Sequence, residues 1–110
     1  MQHHYINNQN APASNGQTLP MIDPATGEVY EQIARGTAQD VDSAVRAARA
    51  CYGNVWQHVS AAERGRLLMK LSMKVAEHAD ELAAIEQRDC GKPVKQAKAD
   101  SAALARYFEF

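Results

Sequence analysis

The sequence predicts an α+β fragment, with N-terminal hairpin strands followed by three to four helices. Three observations point there. Up to Gly36, short apolar runs alternate with clusters of turn residues. From Thr37 onward, apolar residues recur at helical spacing. Serine or threonine with an acidic residue three positions later marks where helices begin. Residues 1–36 thus read as a β-hairpin region, residues 37–110 as helices, and the whole as one partial domain.

The elements follow in order. Tyr5 and Ile6 are a short extended pair, and Asn7-Asn8 tolerate the positive φ of a tight hairpin turn. Residues 11–17 are loop. Thr18 to Ile22 can extend, although Pro20 restricts that run to an edge. Residues 23–28, Asp-Pro-Ala-Thr-Gly-Glu, are a turn, and residues 29–34 read as a second strand. Thr37 with Asp40 then caps a helix carrying Val41, Ala44, Val45, Ala48 and Tyr52 on one face, with Gly53 as its stop. Ser60 and Glu63 form a capping box. Leu68, Leu71, Val75, Leu82 and Ile85 hold one face through residues 60–90. The phase continues through His78, so periodicity leaves one helix or two open. A run of ~30 residues is long against a usual ~11–12, and a break near Glu77 to Asp80 is expected. Gly91 ends this region and Pro93 starts a last helix striped with Val94, Ala97, Ser101, Leu104 and Phe108. That helix has no stop signal, which reads as a segment of a larger protein.

Composition narrows the function classes. The chain has 110 residues, a formal net charge of -1 and 45% hydrophobic residues, a composition that opposes a nucleic-acid partner. Much of the apolar content is alanine, which buries little area per residue. No apolar run approaches the ~20 residues of a membrane span, so no membrane partner is expected. The N-terminus lacks the basic and apolar regions of a signal peptide, and Cys51 and Cys90 read as free thiols in a cytoplasmic protein.

Local chemistry is sparse. Cys90 falls at a helix C-terminus, where the dipole disfavours a thiolate, so it reads as part of a helix stop. Asp89 sits at the same unfavourable end. It is either an exposed carboxylate paired with Lys92, or one ligand of an oxygen-rich site for a hard cation. His3 and His4 lack the geometry of a metal site, and His58 and His78 read as isolated helix-end residues. Arg88, Lys92, Lys95 and Lys98 form a weak basic ridge, best read as a solvated face. No glycine-rich phosphate loop and no Ser/His/Asp arrangement is recognisable. No catalytic residue and no cofactor-binding residue is assigned.

The order of the pieces resembles the N-terminal part of the NAD(P)-dependent aldehyde dehydrogenase superfamily. The residues that carry the likeness are Asp23-Pro24-Ala25-Thr26-Gly27-Glu28, the run Asp40-Val41 through Ala47-Ala48, Arg64-Gly65-Arg66-Leu67-Leu68, and Gly91-Lys92-Pro93. Each motif alone is weak, and their order and spacing are specific. The resemblance implies a piece of an α/β aldehyde dehydrogenase fold, from a protein that oxidises an aldehyde to a carboxylic acid with NAD or NADP. The nucleophilic cysteine, the general-base glutamate and the cofactor-binding strands would lie beyond Phe110. The 110 residues alone would then be inactive and structural. A homodimer or homotetramer is implied for the parent protein. So is a monovalent cation held by Met21, Ile22 and Asp89. Asp23 departs from the family's usual Asn, and Cys90 from its usual Thr, Asn or Ser. The competing reading is a free-standing helical interaction module.

Overall fold

The computed structural model describes residues 1–110. They divide into two compact units. The first holds Met1–Ile22 and Glu28–Val59, and the second holds Asp23–Gly27 and Ser60–Phe110.

In the first unit, β1 (His4–Ile6) pairs antiparallel with β2 (Gln9–Ala11). Asn7 (φ 52) and Asn8 (φ 60) make the turn, both left-handed as a two-residue hairpin of this hand requires. β3 (Thr18–Ile22) pairs antiparallel with β4 (Val29–Ala34), and the register slips between Met21 and Ile22. Pro20 lies opposite Gln32. It is tolerated because each strand of a two-stranded sheet has an edge where a missing N–H costs nothing. Gln2 adds a bridge to this pair: its N–H donates to Gln32 O at 2.8 Å, and Ala34 N–H donates to Gln2 O at 2.9 Å.

Helix α1 spans Ala38–Asn54 with Thr37 at its N-cap, as the capping pattern predicts. Gly53 is not its stop. The helix runs one residue further, and Val55 N–H closes on Cys51 O at 2.9 Å. A 3-10 turn, Trp56–His58, follows. The predicted stripe of α1 is present but uncovered: Val41 is 61% and Tyr52 59% exposed. Ala13 is the one buried residue of this unit.

The second unit is a three-helix assembly. Helices α2 (Ala61–Glu77), α3 (Ala79–Cys90) and α4 (Val94–Glu109) pack with α4 against both others. The expected break falls at His78, with φ −105 and ψ 16. Its N–H still reaches Lys74 O and Val75 O, and its carbonyl accepts from Leu82 N–H to start α3. His78 is not isolated, because Nδ1 lies 2.9 Å from Glu81 Oε2.

The buried seam consists of Ser72 and Val75 on α2, Ala83 on α3, and Ala97, Ser101 and Ala105 on α4. On α4 these are four residues apart, one straight face. The predicted leucine stripe keeps its phase and is covered only in part within these 110 residues. Of its α2 and α3 members only Val75 is buried, while Leu68, Leu71 and Ile85 stay exposed. Ala97, Ser101 and Ala105 bring small side chains to the seam, and the larger members of the stripe lie on surface that these residues leave uncovered. Ser101 satisfies its hydroxyl by donating to Ala97 O at 3.0 Å within its own helix.

Candidate functional site

The carboxyl end of α3 is the most constrained corner of the second unit. Gly91 ends the helix in the left-handed region at φ 68, and its N–H donates to Gln87 O at 2.9 Å. A side chain there would also meet Pro24, since a Cβ would stand 3.0 Å from Pro24 Cγ. Backbone conformation and close approach both call for glycine.

The 23–27 turn that presents Pro24 is itself tightly folded. Asp23 Oδ1 accepts from Ala25 N–H at 2.8 Å, Gly27 N–H donates to Asp23 O at 2.7 Å, and Gly27 has φ 74. Asp23 Oδ2 lies 3.9 Å from Arg88 Nε. Asp23 thus caps its own turn and faces a cation on α3.

Asp89 occupies the last turn of α3, and its Oδ2 is 3.8 Å from the thiol of Cys90. Lys92 is not its partner. Lys92 Nζ donates to Glu86 on α3 and, at 2.7 Å, to Asp100 on α4. These two carboxylates, Asp100 first, hold the lysine's pKa above its ordinary value. The basic ridge is a solvated face except at Lys92, since Arg88 and Lys98 stay largely exposed. Lys92 clamps α3 to α4, Lys98 pairs with Asp80 at 2.9 Å, and Arg88 faces Asp23. Nothing in sequence spacing flags this clamp, because Glu86 and Asp100 belong to helices on either side of the Gly91 turn.

Cys90 is exposed, with the Asp89 carboxylate as its neighbour, a poor setting for a thiolate nucleophile. Cys51 is also free. Met21 and Ile22 end β3, where the register slips against β4; Met21 lies opposite Glu31 and Ile22 opposite Val29. They belong to the first unit and Asp89 to the second. No group of three or more His, Cys, Asp or Glu side chains is placed to hold a metal ion. Nor do these residues fit a dinucleotide. The paired strands form antiparallel hairpins, with no parallel strand–helix–strand unit and no glycine-rich turn between strand and helix. No helix is long and apolar enough to cross a membrane.

A second polar cluster, missed in the sequence, stands at the start of α1. Asp40 reaches back to Thr37, and its carboxylate also accepts from Ser14 N–H at 3.2 Å. The Thr37 backbone N–H is the first cause of its lowered pKa. The capping box was legible; the Ser14 link, 26 positions away in sequence, was not.

The pattern of the aldehyde dehydrogenase family matches residues 11–110. Among curated relatives, aldehyde dehydrogenase [NAD(P)+] 1 of Saccharomyces cerevisiae is 44% identical over 108 residues, covering 94% of this chain and 21% of the relative. A crystal structure of a Burkholderia cenocepacia protein assigned to the aldehyde dehydrogenases superposes with TM-score 0.96 at 53% identity, over 98% of this chain and 23% of that one. Betaine aldehyde dehydrogenase from Staphylococcus aureus, in complex with NAD+, superposes with TM-score 0.93 at 30% identity, over 98% of this chain and 22% of that one. The chain spans about a fifth of the length of the curated relatives it matches. With the family pattern running through all but its first ten residues, the chain belongs to the aldehyde dehydrogenase family.

Proposed function

We propose that the protein carrying this chain oxidises an aldehyde and water to a carboxylate while reducing NAD+ or NADP+, and that these 110 residues are a structural segment of it. The observation that carries the reading is the continuous family match over residues 11–110, joined to close superposition on aldehyde dehydrogenases. The names of the yeast relative and the S. aureus complex support a nicotinamide cofactor. The acid–base groups, the nucleophile and the cofactor-binding residues belong, on this reading, to chain outside these residues. A cytoplasmic homodimer or homotetramer completes the proposal. The helical interaction-module reading has no support from the family match.

The cation reading goes with it. Met21 and Ile22 would supply main-chain oxygens and Asp89 a carboxylate, the donor type a hard cation takes. Its role would be structural, because an ion bound only to the native state stabilises according to its occupancy.

Two measurements test the proposal. Absorbance of the reduced cofactor should rise when the intact protein meets short or aromatic aldehydes with NAD+ or NADP+. The 110-residue chain alone should give no turnover, and Cys90→Ser should leave the intact protein's activity within about twofold. Loss of turnover in Cys90→Ser would reassign that thiol. Separately, added potassium should raise the melting temperature of the intact protein but not of Asp89→Ala. Equal responses would remove Asp89 from any cation site.

A further inference from the structure

Among buried side-chain nitrogen and oxygen atoms, one has no hydrogen-bond partner: Nε2 of His4. It lies 3.8 Å from Asp40 Oδ2, too far for a hydrogen bond. Both side chains are largely covered, His4 at 23% and Asp40 at 13% exposure. Such an atom is costly in either neutral tautomer. With a proton on Nε2 it is a donor without an acceptor. Without one it is a lone pair turned toward a carboxylate.

The carboxylate it faces is held still by its other partners. Asp40 Oδ2 accepts from Thr37 N–H at 2.9 Å and Thr37 Oγ1 at 3.0 Å. Thr37 Oγ1 also accepts from Asp40 N–H at 3.2 Å, so its single proton goes to the carboxylate. Ser14 Oγ, 2.7 Å away, must then donate to Thr37. Ser14 N–H donates to Asp40 as well. The loop after β2 and the first turn of α1 are thereby locked, and His4 on β1 stands just short of joining them.

We propose that His4 and Asp40 form a pH-sensitive clasp between strand β1 and the first turn of α1, engaged when His4 carries a proton and slack when it does not. Protonation gives the ring an N–H on both nitrogens, and the one at Nε2 faces the carboxylate. Closing the gap by about 1 Å turns the approach into a charge-assisted hydrogen bond of ~2.8 Å. Histidine is the side chain whose ordinary titration falls between about pH 5 and 8. Room for the ring to move exists on one side. The cleft beside it, about 260 Å³, is lined by Tyr5, Ile6, Gly36, Asp40, Val41 and Ala44. Apart from His4, its titratable groups are Tyr5, on the same strand, and Asp40. Opposite His4 on β2 stands Ala11, which carries no charge. Gly36 keeps the path open: a Cβ there would lie 3.4 Å from His4 Cε1.

Hydrogen exchange of the intact protein carrying this chain tests the clasp, with each rate corrected for intrinsic exchange at its own pH. Going from about pH 7.5 to about pH 5.5, protection of the Ser14 and Thr37 amides should rise roughly tenfold in the wild type. It should stay level in His4→Gln, with α2 amides unchanged as a folding control. Where His4→Gln does not fold, the ring nitrogen resonances of His4 in the wild type decide, and they should change when Asp40→Asn removes the charge. A wild type with no pH response, a His4→Gln variant responding equally, or His4 resonances indifferent to Asp40→Asn would each overturn the proposal.

Discussion

The two units of the chain solve the same problem with different chemistry. In the first, one residue is buried, and order comes from ladder hydrogen bonds and the polar knot of Ser14, Thr37 and Asp40. In the second, three helices share a seam of serine, alanine and valine, and a lysine clamp closes one end. Polar knots depend on direction and protonation. A close-packed seam depends on volume. The first unit should therefore respond most to loss of single hydrogen bonds and, through His4, to pH near neutrality, and the second to added or misplaced carbon.

The largest effect expected is at Ala97, which is fully buried. Ala97→Leu adds three carbons where α4 meets its neighbours, and overpacking of that kind costs about 3 kcal/mol. Ala48→Leu on the exposed part of α1 should change stability by less than about 0.5 kcal/mol. Urea unfolding of both variants tests the contrast. Equal losses would mean that α1 is as tightly packed as α4.

Glycines sharpen it next. Gly91 and Gly16 have the same φ of 68, so alanine meets the same backbone penalty of ~1–2 kcal/mol at each. A Cβ at Gly16 meets nothing within 4 Å, whereas one at Gly91 is pressed to 3.0 Å from Pro24 Cγ. Gly91→Ala should therefore be the more destabilising by about 1 kcal/mol, and a Pro24→Ala background should remove that excess. An excess that persists without the Pro24 ring would assign it to the backbone instead.

What was legible in the sequence follows the same division. Both capping boxes and the Asn7-Asn8 turn were readable because every participant lies within a few positions. Gly91 was readable as a helix stop for the same reason. The buried face of the helices was not. Apolar periodicity marks a phase, and in that phase Leu68 and Leu71 look like better core residues than Ser72. Which members of a stripe are covered depends on what packs against each helix, and periodicity does not say what that is. The Lys92 clamp and the Ser14 link needed tertiary structure, since their partners are far apart in sequence or on different helices. Of the candidate cation ligands, Asp89 could be picked out from its position at the unfavourable end of a helix. Met21 and Ile22 are proposed through main-chain oxygens, which every residue has, so only the family resemblance could name them.

The smallest effects compare the two caps directly. Thr37 and Ser60 each accept from the N–H three residues on, at 3.2 Å, and each receives the carboxylate in return. Ser60→Ala should cost about 1 kcal/mol, the ordinary value of a cap. Thr37→Ala should cost slightly more, because it also removes the hydrogen bond between the Ser14 and Thr37 hydroxyls at 2.7 Å. Their pH dependence has one sign. Thr37 N–H first, and Ser14 N–H after it, lower the pKa of Asp40 from its ordinary 3.8. The Ser60 hydroxyl, then its N–H, lower that of Glu63 from 4.5. A carboxylate with a depressed folded pKa contributes stability that is complete above its unfolded value and is lost as pH falls through the folded one. Both units should thus lose cap stability below about pH 4, and Asp40→Asn or Glu63→Gln should flatten the acid limb of its own unit only. Amide exchange in α1 and α2 followed down the acid range reads the two limbs separately. If Asp40→Asn flattened the α2 limb as strongly as that of α1, the two polar caps would be one cooperative system rather than two local ones.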